Sequence, residues 1–522
     1  MRLSLPALLV CLALPAAAQI PQATLDQVVE KARSAFHVPG LAVAVVKDGK
    51  VTVSKGYGVM KEGGREAVTP QTLFGIASNT KVFTAAALAI LVDEGKLGWE
   101  DRVVDRLPGF QMSDAYVTRE MRIRDLLCHR SGLGLGAGDL MFFPSTDLKP
   151  EEILHRLRFV PLATSFRSEY AYDNLLYLVA GAVIERVSGS SWADFLRERI
   201  FRPAGMASTR ARARDLRPGD PTATPHAPLG DGLAPVALGG DDNIAPAGSI
   251  LSSAEDMARW AGILLAKGDL GGGKRLFSEA QARILWTPLT LIPSVDLPES
   301  LREMASPLTA YAMGEVVQEY RGQAMVWHTG GLPGMVSRVT FLPGRKLAVV
   351  VLTNAESTAA FHAITHAVLD RDLGAPAKDW VETFRVLRDA SRAASKAAVQ
   401  KDAARRAPDS HPSLPLASYA GRYRDPWYGD ILVEQQEGAL AIRFTHTPGL
   451  TGRLEHFQQD SFIARWNDRT LDADAYLTFA LNPDGTVAQA RMKAVSPTTD
   501  FSYDFHDLVL TPVKPGDAVK AW

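Results

Sequence analysis

Cysteine is scarce in this chain. The 522 residues include only two cysteines, and Cys11 lies in an N-terminal apolar stretch that we interpret below as a cleaved leader. The mature chain then keeps Cys128 alone and forms no intramolecular disulfide, so burial of apolar side chains must supply its stability. Zinc-type Cys/His spacing and a His-Glu-x-x-His motif are also missing. We therefore expect no metal and no other cofactor.

Long apolar runs and an excess of one charge are missing as well. Beyond residues 1–18 no run of eighteen apolar residues occurs, so we expect no membrane span after cleavage of the leader. The 57 basic and 58 acidic residues are interspersed, which argues against nucleic acid as a partner. Residues 1–18 have the charged start, short apolar core and Ala-x-Ala end of a signal peptide. This predicts a secreted protein, and a bacterial periplasm fits best.

Two common catalytic motifs are absent, but a different one is present. There is no Gly-x-Ser-x-Gly elbow and no Walker-type phosphate loop. The chain does contain a single Ser-x-x-Lys, formed by Ser78 and Lys81. An apolar stripe predicts a helix over residues 81–94. Residues three apart share a helix face, so the Lys81 amine can reach the Ser78 hydroxyl and help to activate it.

Two further motifs follow in order along the chain. Tyr172 and Asn174 are two residues apart, so outside a helix both side chains can point into one cleft, and a predicted helix over residues 174–187 fixes them. The segment His328-Thr329-Gly330-Gly331 lies beside a predicted hairpin of residues 336–342 and 347–353. Glycines in a strand allow close approach of a substrate. Taken alone, Tyr172 could be an ordinary packed tyrosine and the His328 segment an ordinary turn. Their joint occurrence with the Ser-x-x-Lys motif favours an active site.

Together the motifs resemble the signatures Ser-x-x-Lys, Ser/Tyr-x-Asn and Lys/His-x-Gly of the serine β-lactamase and penicillin-binding-protein superfamily. Tyrosine in the second motif and histidine in the third resemble its class C β-lactamase-like branch (peptidase S12 type), which includes esterases and D-aminopeptidases. Residues 126–133 and 243–258 resemble further segments of that family. The resemblance covers roughly residues 22–370.

The resemblance implies hydrolysis through an acyl-enzyme. Ser78 would attack a carbonyl, and either Lys81 or Tyr172 would take its proton, the latter only if neighbouring cations lower its pKa. The backbone N–H groups of Ser78 and Gly331 would form the oxyanion hole. The substrate-binding residues that the resemblance implies are Asn174, His328 and Gly330.

The third motif opens with His328, where many relatives have lysine. Imidazole is mostly neutral at pH 7, so strong recognition of a substrate carboxylate is not expected, although a hydrogen bond remains open. We therefore predict a secreted serine hydrolase acting on small-molecule or peptide substrates with ester or amide bonds, D-amino-acid peptides included. One alternative is β-lactamase or D-Ala-D-Ala carboxypeptidase activity. Another is a non-catalytic envelope binding or sensor protein.

The chain is too long for one core. The resemblance implies an α/β (α+β) β-lactamase-like domain over residues 19–375, an antiparallel sheet flanked by helices with a helical lobe at about residues 100–260. Residues 376–415 read as a helix and a proline-rich linker. Short alternating segments in residues 416–522 predict a small all-β barrel that resembles a lipocalin-like domain. We expect the barrel to fold independently and to limit access to the active site or to mediate a homo-oligomer.

Overall fold

The computed structural model describes residues 20–239 and 242–514. The signal peptide predicted for residues 1–18 lies outside these described residues. Among the helices of the described ranges, none combines the length and the apolar character that a membrane crossing requires.

An eight-stranded antiparallel sheet forms the centre of the N-terminal unit, as predicted. In spatial order its strands are Lys50–Gly58, Gly40–Lys47, Leu347–Thr353, Met335–Leu342, Gln323–Leu332, Val316–Tyr320, Thr309–Tyr311 and Thr290–Leu291. The two strands of the opening hairpin are joined by Asp48 and Gly49, whose φ angles are 50° and 76°. Two successive positive φ angles match the twist of the flanking strands, which is why Asp-Gly predicts this turn.

The apolar pattern of residues 311–319 predicts one further strand of this sheet. Its extent is wrong, because the chain reverses at Ala312 to Glu315 and makes two strands. The Ala312 N–H donates to the Glu315 carbonyl at 2.8 Å, and Gly314 adopts a φ of 98°. A continuous apolar pattern hid this turn, because both strands are largely buried and the turn carries only one glycine.

Helices cover both faces of the sheet. Along Leu347–Thr353 every residue is buried, with Val349 and Val351 facing one core and Val350 and Leu352 facing the other. Helices Gln22–Ala35 and Thr358–Leu373 pack on the first face, and Thr80–Asp93 and Ala254–Leu265 on the second. A strand buried on both faces carries an uninterrupted apolar run, which the sequence has here.

A helical lobe lies beyond the second face. Its helices are Val103–Arg106, Ala115–Glu120, Pro150–Arg156, Leu175–Ser188, Trp192–Leu196 and Ala245–Gly248. Helix Glu279–Leu285 lies next to the lobe. Three small hairpins or strand pairs complete this region: Phe74–Gly75 with Leu251–Ser252, His226–Leu229 with Gly232–Pro235, and Asp269–Gly271 with Lys274–Arg275. The stretch 217–240, expected to be a long loop, therefore contains a hairpin.

Helix Trp380–Ala403 leads to a nearly closed antiparallel barrel. In spatial order the barrel strands are Val487–Ala494, Ala475–Leu481, Ser461–Trp466, Thr451–Gln458, Ala439–Phe444, Gly429–Gln436, Gly421–Asp425 and Thr511–Pro512. A bridge between Ala490 and Leu510 joins the first and last strands. Buried aromatic side chains fill the interior, including Tyr419, Phe444 and Phe462.

The barrel packs against the N-terminal unit over a shared apolar core. Arg156 of the helical lobe is 3% exposed, and its Nη1 donates to the carbonyls of Trp427, at 3.2 Å, and Tyr428. In the other direction, the Asp504 carboxyl group of the barrel accepts the backbone N–H of Gly138 at 2.6 Å. Apolar side chains of both units belong to one continuous cluster. Independent folding of the barrel stays a prediction, beside these contacts across the boundary.

We expect Arg156→Ala to lower the free energy of unfolding by roughly 2–4 kcal/mol, because two buried carbonyls lose a charged donor. Denaturant unfolding of the full chain measures this. Arg158→Ala is the matched control, since the Arg158 Nε donates to the His155 carbonyl within the same segment, at 2.9 Å. Equal stability of the two variants would show that the contact between the units contributes nothing at this point.

Candidate active site

Ser78 lies in a tight turn that the sheet holds in place. It belongs to a 3₁₀ turn, Ala77–Asn79, directly before helix Thr80–Asp93. Ala77 has a φ of 50°, a strained conformation for a non-glycine residue that is typical of functional sites. Ser337 on strand Met335–Leu342 fixes the turn, because its hydroxyl donates to the Ile76 carbonyl at 2.7 Å and accepts from Asn79 Nδ2 at 2.8 Å. Neither Asn79 nor Ser337 was singled out in the sequence.

The Lys81 amine is fully buried beside the Ser78 hydroxyl. Its Nζ lies 2.9 Å from Ser78 Oγ, 2.7 Å from Asn174 Oδ1 and 3.1 Å from the Ala247 carbonyl oxygen. All three partners are neutral. Burial lowers the pKa of Lys81 to about 7, although Asp139 and Asp173 act in the opposite direction. Near neutral pH a large fraction of this amine is therefore unprotonated and able to accept a proton.

Tyr172 contacts the same serine but keeps its proton. Its hydroxyl is hydrogen-bonded to Ser78, and its ring lies 4.8 Å from Lys81 Nζ. Burial raises the pKa of Tyr172 well above its usual value. The sequence made Tyr172 a base only if neighbouring cations lowered its pKa. That condition is not met, because a partly neutral amine offers little charge against the cost of burying a phenolate. The geometry therefore favours Lys81 as the base and a neutral Tyr172.

Asn174 orients the amine. Its Oδ1 accepts from Lys81, and its Nδ2 donates to Asp139 Oδ2 at 2.9 Å. It precedes helix Leu175–Ser188, which matches the predicted helix within one residue. These two hydrogen bonds fix the position of the Lys81 amine. Asp139 was missed, because an isolated aspartate in a loop gives no local pattern.

His328 is buried and has both ring nitrogens occupied. Its exposed fraction is 4%. Nδ1 lies 2.5 Å from the Thr329 carbonyl, which can only accept, so Nδ1 carries the proton. Nε2 therefore accepts from the Tyr311 hydroxyl at 2.8 Å. Burial and the nearby Lys81 lower the pKa of His328 to about 3. The ring is neutral, as expected. Both of its nitrogens are already hydrogen-bonded, so neither is free to bond a substrate, a possibility that the sequence had left open.

The two glycines of the third motif have different surroundings. A β-carbon at Gly330 would lie 2.1 Å from the Ile76 carbonyl oxygen and 2.6 Å from Ser337 Oγ. The close approach expected at Gly330 is thus made by the Ser78 turn and not by a substrate. A β-carbon at Gly331 would meet nothing within 4 Å. On the side of strand Val316–Tyr320 the pairing ends at Trp327, which leaves the backbone around Gly331 without a strand neighbour on that side.

The two further segments noted in the sequence form walls of the site. The Ala247 carbonyl, from the second segment, accepts from Lys81. His129, from the first, stacks against Tyr172 with ring centroids 4.2 Å apart, and its Nδ1 accepts the Asp173 N–H at 3.2 Å. Cys128 is buried, and burial raises its pKa to about 12, so it is no nucleophile at neutral pH.

Comparisons with known proteins agree with this geometry. A family model described as beta-lactamase matches residues 25–372, and a domain of unknown function matches residues 405–512. An unguisins hydrolase of Aspergillus campestris is 31% identical over 88% of this chain and 87% of its own length. Penicillin-binding protein 4 of Amycolatopsis lactamdurans is 30% identical, covering 63% of this chain and 84% of that protein.

Solved structures share the fold. The octameric penicillin-binding protein homologue from Pyrococcus abyssi aligns with a TM-score of 0.61 and 21% identity, over 90% of this chain and 97% of the other. The D-amino acid amidase of Ochrobactrum anthropi aligns with a TM-score of 0.54 and 22% identity, over 67% of this chain and 97% of the other.

The contrast between the glycines gives a prediction. We expect Gly330→Ala to displace the Ser78 turn and to slow acylation of Ser78 about a hundredfold, the cost of a shift on the order of 1 Å at a reacting group. Gly331→Ala keeps the backbone N–H and meets no neighbour, so it should slow acylation far less. The rate of labelling by a fluorophosphonate probe measures both. Similar rates for the two variants would contradict the packing role of Gly330.

Proposed function

Because this chain belongs to the beta-lactamase family, we propose that it hydrolyses esters or amides that present no carboxylate to position 328, D-amino-acid peptides among them, through an acyl-enzyme on Ser78. The family and the named relatives make it a serine hydrolase. The observation that carries the proposal is the buried Lys81 amine, 2.9 Å from the Ser78 hydroxyl. An intact nucleophile and base argue against the alternative of a non-catalytic binding protein.

Acylation begins with proton transfer from Ser78 to Lys81. As Ser78 Oγ forms its bond to the substrate carbonyl carbon, the neutral amine takes the hydroxyl proton. The carbonyl oxygen gains negative charge, which the backbone N–H groups of Ser78 and Gly331 stabilise. The bond to the leaving group then breaks, and the proton held by Lys81 passes to the leaving group. The neutral Tyr172 hydroxyl, bonded to Ser78, relays it.

Deacylation repeats these steps with water. A water molecule takes the place of the leaving group. Its proton passes through the Tyr172 hydroxyl to Lys81, and the water oxygen attacks the acyl carbonyl. The intermediate collapses, the bond to Ser78 Oγ breaks, and the proton returns to the serine. No metal takes part in either half of this scheme.

His328 supports the choice of substrates that lack a carboxylate at this position. A lysine here would present a permanent cation to a substrate carboxylate, whereas the buried imidazole is neutral and fully hydrogen-bonded. Two of the similar proteins are named an unguisins hydrolase and a D-amino acid amidase. The first name agrees with hydrolysis and the second with amide substrates, a class that we propose over β-lactams and D-Ala-D-Ala peptides.

Export and assembly are proposed on other grounds. The composition of residues 1–18 supports secretion, with the bacterial periplasm as the destination. A homo-oligomer is proposed by analogy with the octameric homologue from Pyrococcus abyssi.

The pH dependence of acylation tests the base. A base must be unprotonated, so we expect fluorophosphonate labelling of Ser78 to slow as pH falls through about 7, the pKa of Lys81. His328 and Tyr172 do not change charge near neutral pH, because the pKa of His328 is about 3 and that of Tyr172 is raised. Lys81→Ala should slow labelling about a hundredfold or more. Tyr172→Phe should keep the midpoint near 7.

Ser78→Ala is the control for this experiment and should abolish labelling. A probe adduct located by mass spectrometry on another serine would refute the nucleophile. A midpoint that disappears in Tyr172→Phe, with Lys81→Ala labelled at the normal rate, would instead make Tyr172 the base.

Substrate charge gives a second test. We expect p-nitrophenyl esters and D-amino-acid amides to exceed penicillins and cephalosporins in kcat/KM near pH 7. The variant His328→Lys should move that ratio toward carboxylate-bearing substrates by about tenfold, since one favourable charge contact contributes on the order of 1.4 kcal/mol. Efficient β-lactam hydrolysis by the unmodified protein, with no change in the variant, would show that this position does not set selectivity.

A further inference from the structure

The barrel reaches the hydrolase active site through one short segment, Phe501 to Asp504. Ser502 and Asp504 each hydrogen-bond the loop that carries Asp139, and Phe501 contacts Tyr172. We propose that this segment is part of the active site: Ser502 is a positioning residue for Lys81, and Phe501 is a wall of the subsite for an apolar side chain of the substrate. The inference rests on the proposed function and names a substrate class within it.

A chain of hydrogen bonds links Ser502 to the nucleophile. The Ser502 hydroxyl donates to Asp139 Oδ2 at 2.9 Å, and Asn174 Nδ2 donates to the same oxygen, also at 2.9 Å. The other end of the Asn174 amide accepts from Lys81. The oxygen and nitrogen of an amide side chain can be exchanged by a half-turn, so the hydrogen-bond partners determine which atom is which. Asp139 Oδ2 accepts a hydrogen bond, so the Asn174 nitrogen faces it. Asp139 therefore turns the Asn174 oxygen toward Lys81.

Hydrogen bonds from the barrel help to hold Asp139 in position. It is fully buried, and among the residues that the structure describes its Oδ1 has no hydrogen-bond partner. Ser502 is thus one of only two side-chain donors that hold this carboxyl group. The barrel also fixes the backbone on both sides, because Asp504 accepts the N–H of Gly138 at 2.6 Å and that of Leu140 at 3.1 Å.

Phe501 lies at the mouth of the same site. Its ring meets the Tyr172 ring edge to face, with centroids 5.8 Å apart, and it is 40% exposed. Leu135, 50% exposed, is followed by Gly136, where a β-carbon would lie 2.8 Å from Phe501. The Gly136 N–H donates to the Tyr172 carbonyl at 2.8 Å. The barrel thus places an exposed apolar ring beside Tyr172, and the loop of Leu135 and Gly136 runs next to that ring.

The Phe501 ring fits an apolar or aromatic substituent next to the reacting carbonyl. It is a partly exposed apolar group in contact with Tyr172, which is hydrogen-bonded to Ser78. The segment lies in the region that matches a domain of unknown function, residues 405–512. The proposal gives that region a role in catalysis and selectivity.

The positioning role is tested in the full chain with Ser502→Ala and Ser502→Thr. We expect Ser502→Ala to lower kcat for a p-nitrophenyl ester about tenfold with little change in KM, and the hydroxyl of Ser502→Thr to restore most of it. Ser461→Ala is the control, because its hydroxyl bonds Thr478 at 2.9 Å on the barrel surface. A loss that threonine does not restore, or no loss at all, would overturn this role.

The subsite is tested with Phe501→Ala and two esters that differ only in the acyl group. For a phenylacetyl ester we expect KM to rise about tenfold, the effect of losing apolar contact with one aromatic group, and for an acetyl ester no change. Phe457→Ala, at a barrel ring 5.1 Å from Tyr476, is the control. Equal effects on the two esters would overturn the subsite.

Labelling of Ser78 separates this inference from the proposed function. If the unmodified protein is not labelled at Ser78, the proposed function fails. If it is labelled but Ser502→Ala and Phe501→Ala behave like their controls, the proposed function stands and the barrel segment is not part of the site.

Discussion

The burial of one amine among neutral oxygens is the constraint on which the site depends. Lys81 has lost its water shell, and its partners Ser78, Asn174 and Ala247 bring dipoles but no charge. Desolvation therefore dominates and lowers the pKa of the amine to about 7. A carboxylate in direct contact would raise this value and leave a protonated lysine that cannot act as a base. The acidic groups Asp139 and Asp173 influence the amine without bonding it.

Asn174 is a rigid spacer between the Lys81 amine and Asp139, whose pKa is raised well above its usual value by burial. Its amide separates the Asp139 carboxyl group from the Lys81 amine and fixes both. The geometry must hold within a fraction of an ångström for proton transfer to be efficient. Three independent parts of the chain meet to achieve this: the Ser78 turn, the helical lobe and the barrel. This explains why the two units share a core although a proline-rich linker separates them in sequence.

Sequence reasoning predicted what local patterns encode. The helix after Ser78 and the alternating strands of the C-terminal barrel follow from periodicity, and the Asp48-Gly49 hairpin follows from turn chemistry. The turn near Gly314 escaped because buried strands on both sides look like one apolar run. The sequence left open which of Lys81 and Tyr172 takes the proton, since burial, which shifts both pKa values, is a property of the folded surroundings and not of neighbouring residues in the chain. Ser502 gave no signal, because it lies 363 positions from the carboxylate it bonds.

The neutral state of His328 and the lowered pKa of Lys81 have the same main cause, which is burial. Burial and the nearby Lys81 lower the pKa of the imidazole, so it stays unprotonated. An ammonium at position 328 would place a permanent cation in a buried site, and a substrate carboxylate would be the natural group to compensate it. With histidine there, the free site needs no such compensation. A substrate without a carboxylate then enters without leaving a buried charge unpaired, which is the physical reason for proposing esters and amides of that kind.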